Sequence, residues 1–251
     1  ATPHLGASTD EAQEKAGISV ARSVRLALAG ELVPDAVNVQ GGNMHEDIKP
    51  LIPLAEKLGA IACALSDSAI VRVAVEVRGA VVEHDVRVLE LSATKGVFQN
   101  LVHDPVSFVN APVLAEQRGV DISLTTDMLS EDHKNLLTVA ITQTDGVTVC
   151  VSGTVAGARH QAKVVELNGF DIDVPMSSHM VFFRYHDRPG VVGQVGNLLG
   201  NAQINIAGMQ VSRDNDGHAL MVLIVDSPLA HELIDQITDD IGAHTGKAVA
   251  L

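Results

Sequence analysis

Six consecutive residues, Tyr185-His186-Asp187-Arg188-Pro189-Gly190, carry the densest concentration of usable chemistry in the sequence. They stand where an apolar run of strand character gives way to a run with helical spacing, so they form a strand-to-helix junction. Pro189 fixes φ and lacks the amide hydrogen that a helix start leaves unpaired, and Gly190 lets the backbone approach a ligand closely. Free amides in the first helical turn suit a carboxylate. Asp187 supplies a counter-charge for an ammonium group, and Asn205, opening the next strand, offers both a donor and an acceptor. Together these groups fit a zwitterionic amino acid. The same residues also fit a plainer arrangement, in which Asp187 caps the helix and Asn205 ends a turn.

Other candidate chemistry is thinner. Gly193, Gly196 and Gly200 have the wrong spacing for a dinucleotide fingerprint and fall inside the helical run, where close packing explains them. His45, His84, His103 and His133 show no paired ligand spacing, so no metal is expected. Cys63 and Cys150 lie far apart in apolar runs, as free thiols acting as small hydrophobes would, which fits a reduced, cytoplasmic protein.

The elements that must position the junction can be read from periodicity. Ser8-Thr9-Asp10-Glu11 is a capping box with Ser8 as cap, and the helix it opens runs to about Ala29, with Val20, Val24, Ala27 and Leu28 on one stripe facing a core and Gly30 ending it. Leu32 to Val39 reads as an extended connection and Gly41-Gly42-Asn43 as a linker. A mixed α and β section follows: a helix within 46–65 whose Pro50 and Pro53 suit only its first turn or a kink, an alternating strand through Val71, Val73, Val75 and Val77, and an amphipathic helix from Val86 to Leu101. Asp145-Gly146 and Asn168-Gly169 each join two strands as hairpin turns. After Pro175 and Ser177-Ser178, the pattern from His179 onward is β-α-β-β-α-β, its last strand being Ala248 to Leu251. The fold class is therefore α+β: an N-terminal helix, a mixed α/β domain, and a smaller βαββαβ domain of ferredoxin-like topology.

Size and charge narrow the function. A chain of 251 residues suggests two globular units. A net charge of −14 repels phosphate backbones and acidic lipid surfaces, which argues against nucleic acid and membrane as partners, and no apolar run reaches the roughly 18–20 residues that span a bilayer. The chain opens Ala1-Thr2-Pro3-His4 without Met, as though cut from something longer.

The βαββαβ pattern with Asp-Arg-Pro-Gly at its first turn resembles an ACT domain. Thr2-Pro3-His4-Leu5-Gly6-Ala7-Ser8-Thr9, followed by Ala29-Gly30 and Pro34-Asp35-Ala36-Val37-Asn38, resembles the end of the catalytic region of D-3-phosphoglycerate dehydrogenase, and the order of domains is similar to the long bacterial form. The resemblance implies three parts: residues 1–40 as a remnant of the catalytic region, 41–176 as an intervening domain that binds substrate allosterically, and 177–251 as an ACT domain that binds L-serine for feedback inhibition. It implies serine contacts at Tyr185, Asp187 and Asn205, beside Pro189 and Gly190, in a homo-oligomer joined through ACT domains. His4 would be the general acid-base of the NAD-dependent oxidation of 3-phosphoglycerate, the first step of L-serine biosynthesis. Its partners and the NAD-binding glycines would lie upstream, so the chain alone is expected to bind no NAD and to be inactive.

In the intervening domain Lys163, with Arg159, His160 and Arg184 as substitutes for absent arginines, is the candidate for 3-phosphoglycerate or another anion; Phe170 and Pro175 depart from the family pattern there. Two other readings remain: a free-standing amino-acid sensor or adaptor with no enzyme activity, and a subunit of an iron-sulfur serine dehydratase. The second is opposed by two cysteines where a cluster needs about four thiolates.

Overall fold

The computed structural model describes residues 6, 8–33, 45–102 and 104–251. Helix α1 (Asp10–Leu28) opens on Thr9, not on Ser8: Thr9 is the extended residue whose hydroxyl accepts from the Ala12 amide at 3.2 Å. Glu11 turns outward to Lys15 at 2.6 Å instead of closing a capping box. Gly30 ends the helix in the left-handed region, as expected. The expected core face is not found. No residue of α1 is buried, and Val20, Val24 and Leu28 are exposed, because none of the described residues covers that stripe. The expected connection and linker over 34–44, and His4 and His103, lie outside the described residues.

The larger unit is a six-stranded sheet of order β2-β1-β3-β4-β5-β6. Its strands are β1 (Ile70–Gly79), β2 (Asp121–Asp127), β3 (Asn135–Gln143), β4 (Thr148–Ala156), β5 (Gln161–Leu167) and β6 (Phe170–Pro175). All neighbours are antiparallel except β1 and β2, which run parallel and are joined through α3 (Arg87–Gln99) and the short α4 (Ala111–Gln117). Alternation sorts the faces as the sequence indicates. Val73, Val75, Val77, Leu137, Val139, Ile141 and Val151 point into the core beneath α2 (Leu51–Ala64) and α3, while Glu76, Arg78, Thr138, Ser152 and Glu166 line the other face. Helices α2 and α3 meet at Gly59 and Gly96, where a Cβ on either would strike the opposing helix backbone at Ala93 or Glu56.

The smaller unit is a four-stranded antiparallel sheet of order β10-β7-β9-β8, built from β7 (His179–His186), β8 (Ile206–Arg213), β9 (His218–Val225) and β10 (Ala243–Ala250). With α5 (Val191–Asn201) and α6 (His231–Ile241) on one face it gives the expected βαββαβ order. Val181, Phe183, Tyr185, Met221 and Leu223 form a core with Val191, Val195, Leu199, Ile234 and Ile237 of the helices. The alternate residues Met180, Phe182, Leu220, Val222 and Val249 join the apolar core of the larger unit, so the two sheets share a seam. Beside it, the Asp173 amide of β6 donates to the Gln210 side chain of β8 at 2.9 Å. Among the described residues no helix is long and apolar enough to cross a membrane.

Candidate functional site

The junction forms where β7 ends and α5 begins. Gly190 is the N-cap, left-handed at φ 95°, and no side chain caps the helix, so the first-turn amides have no side-chain acceptor from the cap. Pro189 stands one residue ahead of the cap, outside the helix, where its fixed φ shapes the entry; the expected first-turn position is corrected. Arg188 ties the corner down, donating to the Ile241 carbonyl at the end of α6 and to Gln194.

Asp187 does not cap α5. Its amide donates to the Gly217 carbonyl at 2.9 Å, and its carboxylate lies 2.6 Å from Nε of Arg213, at the end of β8. In this structure the guanidinium takes the place assigned to a ligand's ammonium group. Tyr185 points into the helix-covered core and is buried; burial pushes its hydroxyl up, Asp187 adds to the rise, and Arg213 opposes it. Arg213 carried no sequence signal, since only the pairing of β7, β9 and β8 sets it beside Asp187.

Asn205 sits elsewhere. Strand register aligns Tyr185 with Ala219 and Arg213 at one end of the sheet, whereas Asn205 exchanges hydrogen bonds with Asp226 at the other. Eight residues of strand separate residue 205 from residue 213, about 26 Å. One chain therefore does not bring Asp187 and Asn205 together.

In the larger unit, Lys163 is held by Asp173 across the β5–β6 hairpin, at 2.8 and 3.1 Å to the two carboxylate oxygens. Arg159 is exposed in the turn between β4 and β5, where His160 is left-handed. The structure does not gather them into one cradle. Arg184 instead lines an inter-sheet cavity of about 170 Å³ with Lys247, His244, Phe182 and Phe170. Both cysteines are free, and burial pushes the Cys63 thiol up to about 11, which leaves it unreactive.

Two histidine groupings emerge that spacing did not reveal. His45 and His84 stack with ring centroids 3.7 Å apart. At the Asp187 end of the smaller sheet, His186, His218 and His244 converge from three strands. They are separated by dozens of residues, so no local motif marks them.

The architecture thus defines a two-unit chain ending in a ferredoxin-like domain with an open strand-to-helix corner. The model of the D-3-phosphoglycerate dehydrogenase intervening domain matches residues 47–168, and that of the ACT domain matches 179–242. The D-3-phosphoglycerate dehydrogenase of Mycobacterium leprae is 42% identical over 251 residues, all of this chain and 48% of the relative. That of Mycobacterium bovis is 43% identical over 248 residues, 99% of this chain and 46% of the relative, and that of Bacillus subtilis 32% identical over 242 residues, 95% and 46%. The chain spans about half the length of the relatives it matches. It carries the intervening domain of the D-3-phosphoglycerate dehydrogenases and an ACT domain, and matches the C-terminal part of the long form of those enzymes.

Proposed function

We propose that the chain is the regulatory portion of a D-3-phosphoglycerate dehydrogenase, whose ACT domain binds L-serine between two copies and feeds back on the NAD-dependent oxidation of 3-phosphoglycerate. One observation carries this reading: Asp187 and Asn205 lie at opposite ends of a sheet whose edge strand β8 has no second strand partner among the described residues. Residues 205 and 213 are equidistant from Met209. Two β8 strands meeting antiparallel about a twofold axis near Met209 would therefore set the partner's Asn205 opposite Arg213, beside Asp187. Each pairing creates two equal corners, every one with Asp187, Pro189 and Gly190 set over the buried Tyr185 from one copy and an amide from the other. The ligand's carboxylate meets the α5 amides, its ammonium group takes Asp187 in exchange for Arg213, and Asn205 holds a remaining polar group.

NAD binding and the oxidation itself are assigned to the part of such an enzyme that this chain does not span, so the chain alone should show no dehydrogenase activity. For 3-phosphoglycerate or another anion at the intervening domain, Lys163 would first have to leave Asp173, and Arg159 stands apart from it. The geometry supports the serine corner more directly than this second site. Two unpaired thiols suit a reducing cytoplasm. A free-standing sensor would bind in the same way, and the upstream reading frame separates the two.

Calorimetry and sedimentation of the full chain test the proposal together. L-serine should bind with one equivalent per chain and shift the population toward the dimer as concentration rises. Absence of binding, or binding of equal strength to a dilute monomer, overturns it.

A further inference from the structure

From the convergence of His186, His218 and His244, we propose a metal site that takes one divalent zinc-like ion per chain. His186 and His218 face each other directly in the β7–β9 register, with ring centroids 4.6 Å apart. His244 reaches them from β10 because the pairing of β10 with β7 shifts between Ala243 and Thr245. This bulge makes His244 the extra residue and turns it toward the other two rings, 4.8 Å from His186 and 5.6 Å from His218. The three offer one nitrogen each, all within 4.8 Å of one another. Zinc bound by imidazole needs about 2.0–2.1 Å per bond, so modest side-chain rotation closes the set.

A second carboxylate-bearing layer is already in place. Asp214 lies 3.2 Å from Nδ1 of His218 and accepts from the His218 and Asp216 amides at 2.8 and 2.9 Å. A carboxylate on Nδ1 fixes the ring and leaves Nε2 as the ligand, the arrangement seen behind metal-bound histidines. Three imidazoles without thiolate select a borderline ion such as Zn²⁺, Co²⁺ or Ni²⁺ over Mg²⁺ or Ca²⁺, and leave a fourth position for water or a small anion. The net charge of −14 favours a cation, while Arg184, which shares the histidines' face of β7, opposes it.

The test uses tag-free full chain stripped with chelator and titrated with Co²⁺, followed by displacement with Zn²⁺. One equivalent of Co²⁺ should bind with the intense visible absorption of a four-coordinate ion, and Zn²⁺ should abolish it. His186→Gln and His244→Gln replace exposed side chains, so the fold should survive, as circular dichroism will show; each should weaken binding more than 100-fold. Asp214→Asn should weaken it about 10–100-fold. His84→Gln, in the other histidine pair, should change nothing. The proposal is overturned by no stoichiometric binding, by the weak spectrum of a six-coordinate ion, by unchanged affinity in folded His186→Gln and His244→Gln, or by a loss confined to His84→Gln.

Discussion

The Asp187 corner and the Lys163 hairpin each offer a charged side chain suited to a small ligand, and folding gives each an internal partner of opposite sign. Lys163 receives both oxygens of Asp173 from the neighbouring strand of its own hairpin, a local pairing that every copy of the chain satisfies by itself. Asp187 receives one contact from an exposed arginine at the end of a sheet edge, next to uncapped amides and a left-handed glycine. A charge neutralised within its own hairpin has its partner fixed, whereas one balanced by an exposed guanidinium at an unpaired edge can still exchange partners. The value of a charged residue as a binding group thus depends on what strand pairing places opposite it.

That contrast can be broken in several ways. The largest effect should come from the scaffold: Gly96→Ala drives a Cβ into the Glu56 carbonyl and should cost about 3 kcal/mol, seen as an earlier denaturation midpoint with serine binding by the surviving folded protein retained. An unaltered midpoint would mean the α2–α3 contact is looser than described. At the corner, Asp187→Ala should weaken serine binding by about 2 kcal/mol, the scale of a hydrogen bond to a charged group, with Arg213 limiting the loss. Undiminished affinity by calorimetry would show that the ammonium group sits elsewhere. Asn205→Ala removes a neutral partner and should cost about 1 kcal/mol, and mixing it with Asp187→Ala should restore one corner in two of each mixed dimer. If mixing restores nothing, the site is not shared between copies. Lys163→Met, by contrast, should alter stability by less than about 1 kcal/mol, because the pair it breaks is partly exposed.

Smallest is a pH effect on α3. Burial raises the Glu90 carboxyl above its usual 4.5. The folded chain then holds that proton more tightly than the unfolded one, so the stability it contributes is complete below about 4.5 and is lost as pH rises through the raised value. Glu90→Gln should therefore melt slightly higher than the parent at neutral pH and lose that advantage in acid. A parent advantage at neutral pH would reverse the sign.

Much of this scaffold was legible in the sequence because its strands alternate and its turns carry Asp145-Gly146 and Asn168-Gly169, with Gly146, Asn168 and Gly169 at positive φ. Strand β2 escaped notice since only Ile122 and Leu124 are apolar in an exposed edge of polar residues, and its partner β1 lies a crossover away. Strand β10 is longer than expected, as His244, Gly246 and Lys247 dilute its pattern. The stripe on α1 misled because periodicity says which face is apolar and not whether anything covers it. The corner residues were readable from type and spacing, but Arg213, the separation of Asn205 and the histidine trio depend on which strands become neighbours, which no local pattern encodes.

The apolar seam through Met180, Phe182, Leu220, Val222 and Val249 has a mechanical result. Prying it open would wet five apolar side chains, on the order of 7–15 kcal/mol, more than an effector of ordinary coupling strength supplies. On the proposed reading, the ACT domain and its neighbour would accordingly turn as one lever, so that serine would act by rotating the whole body and not by a swing between its parts.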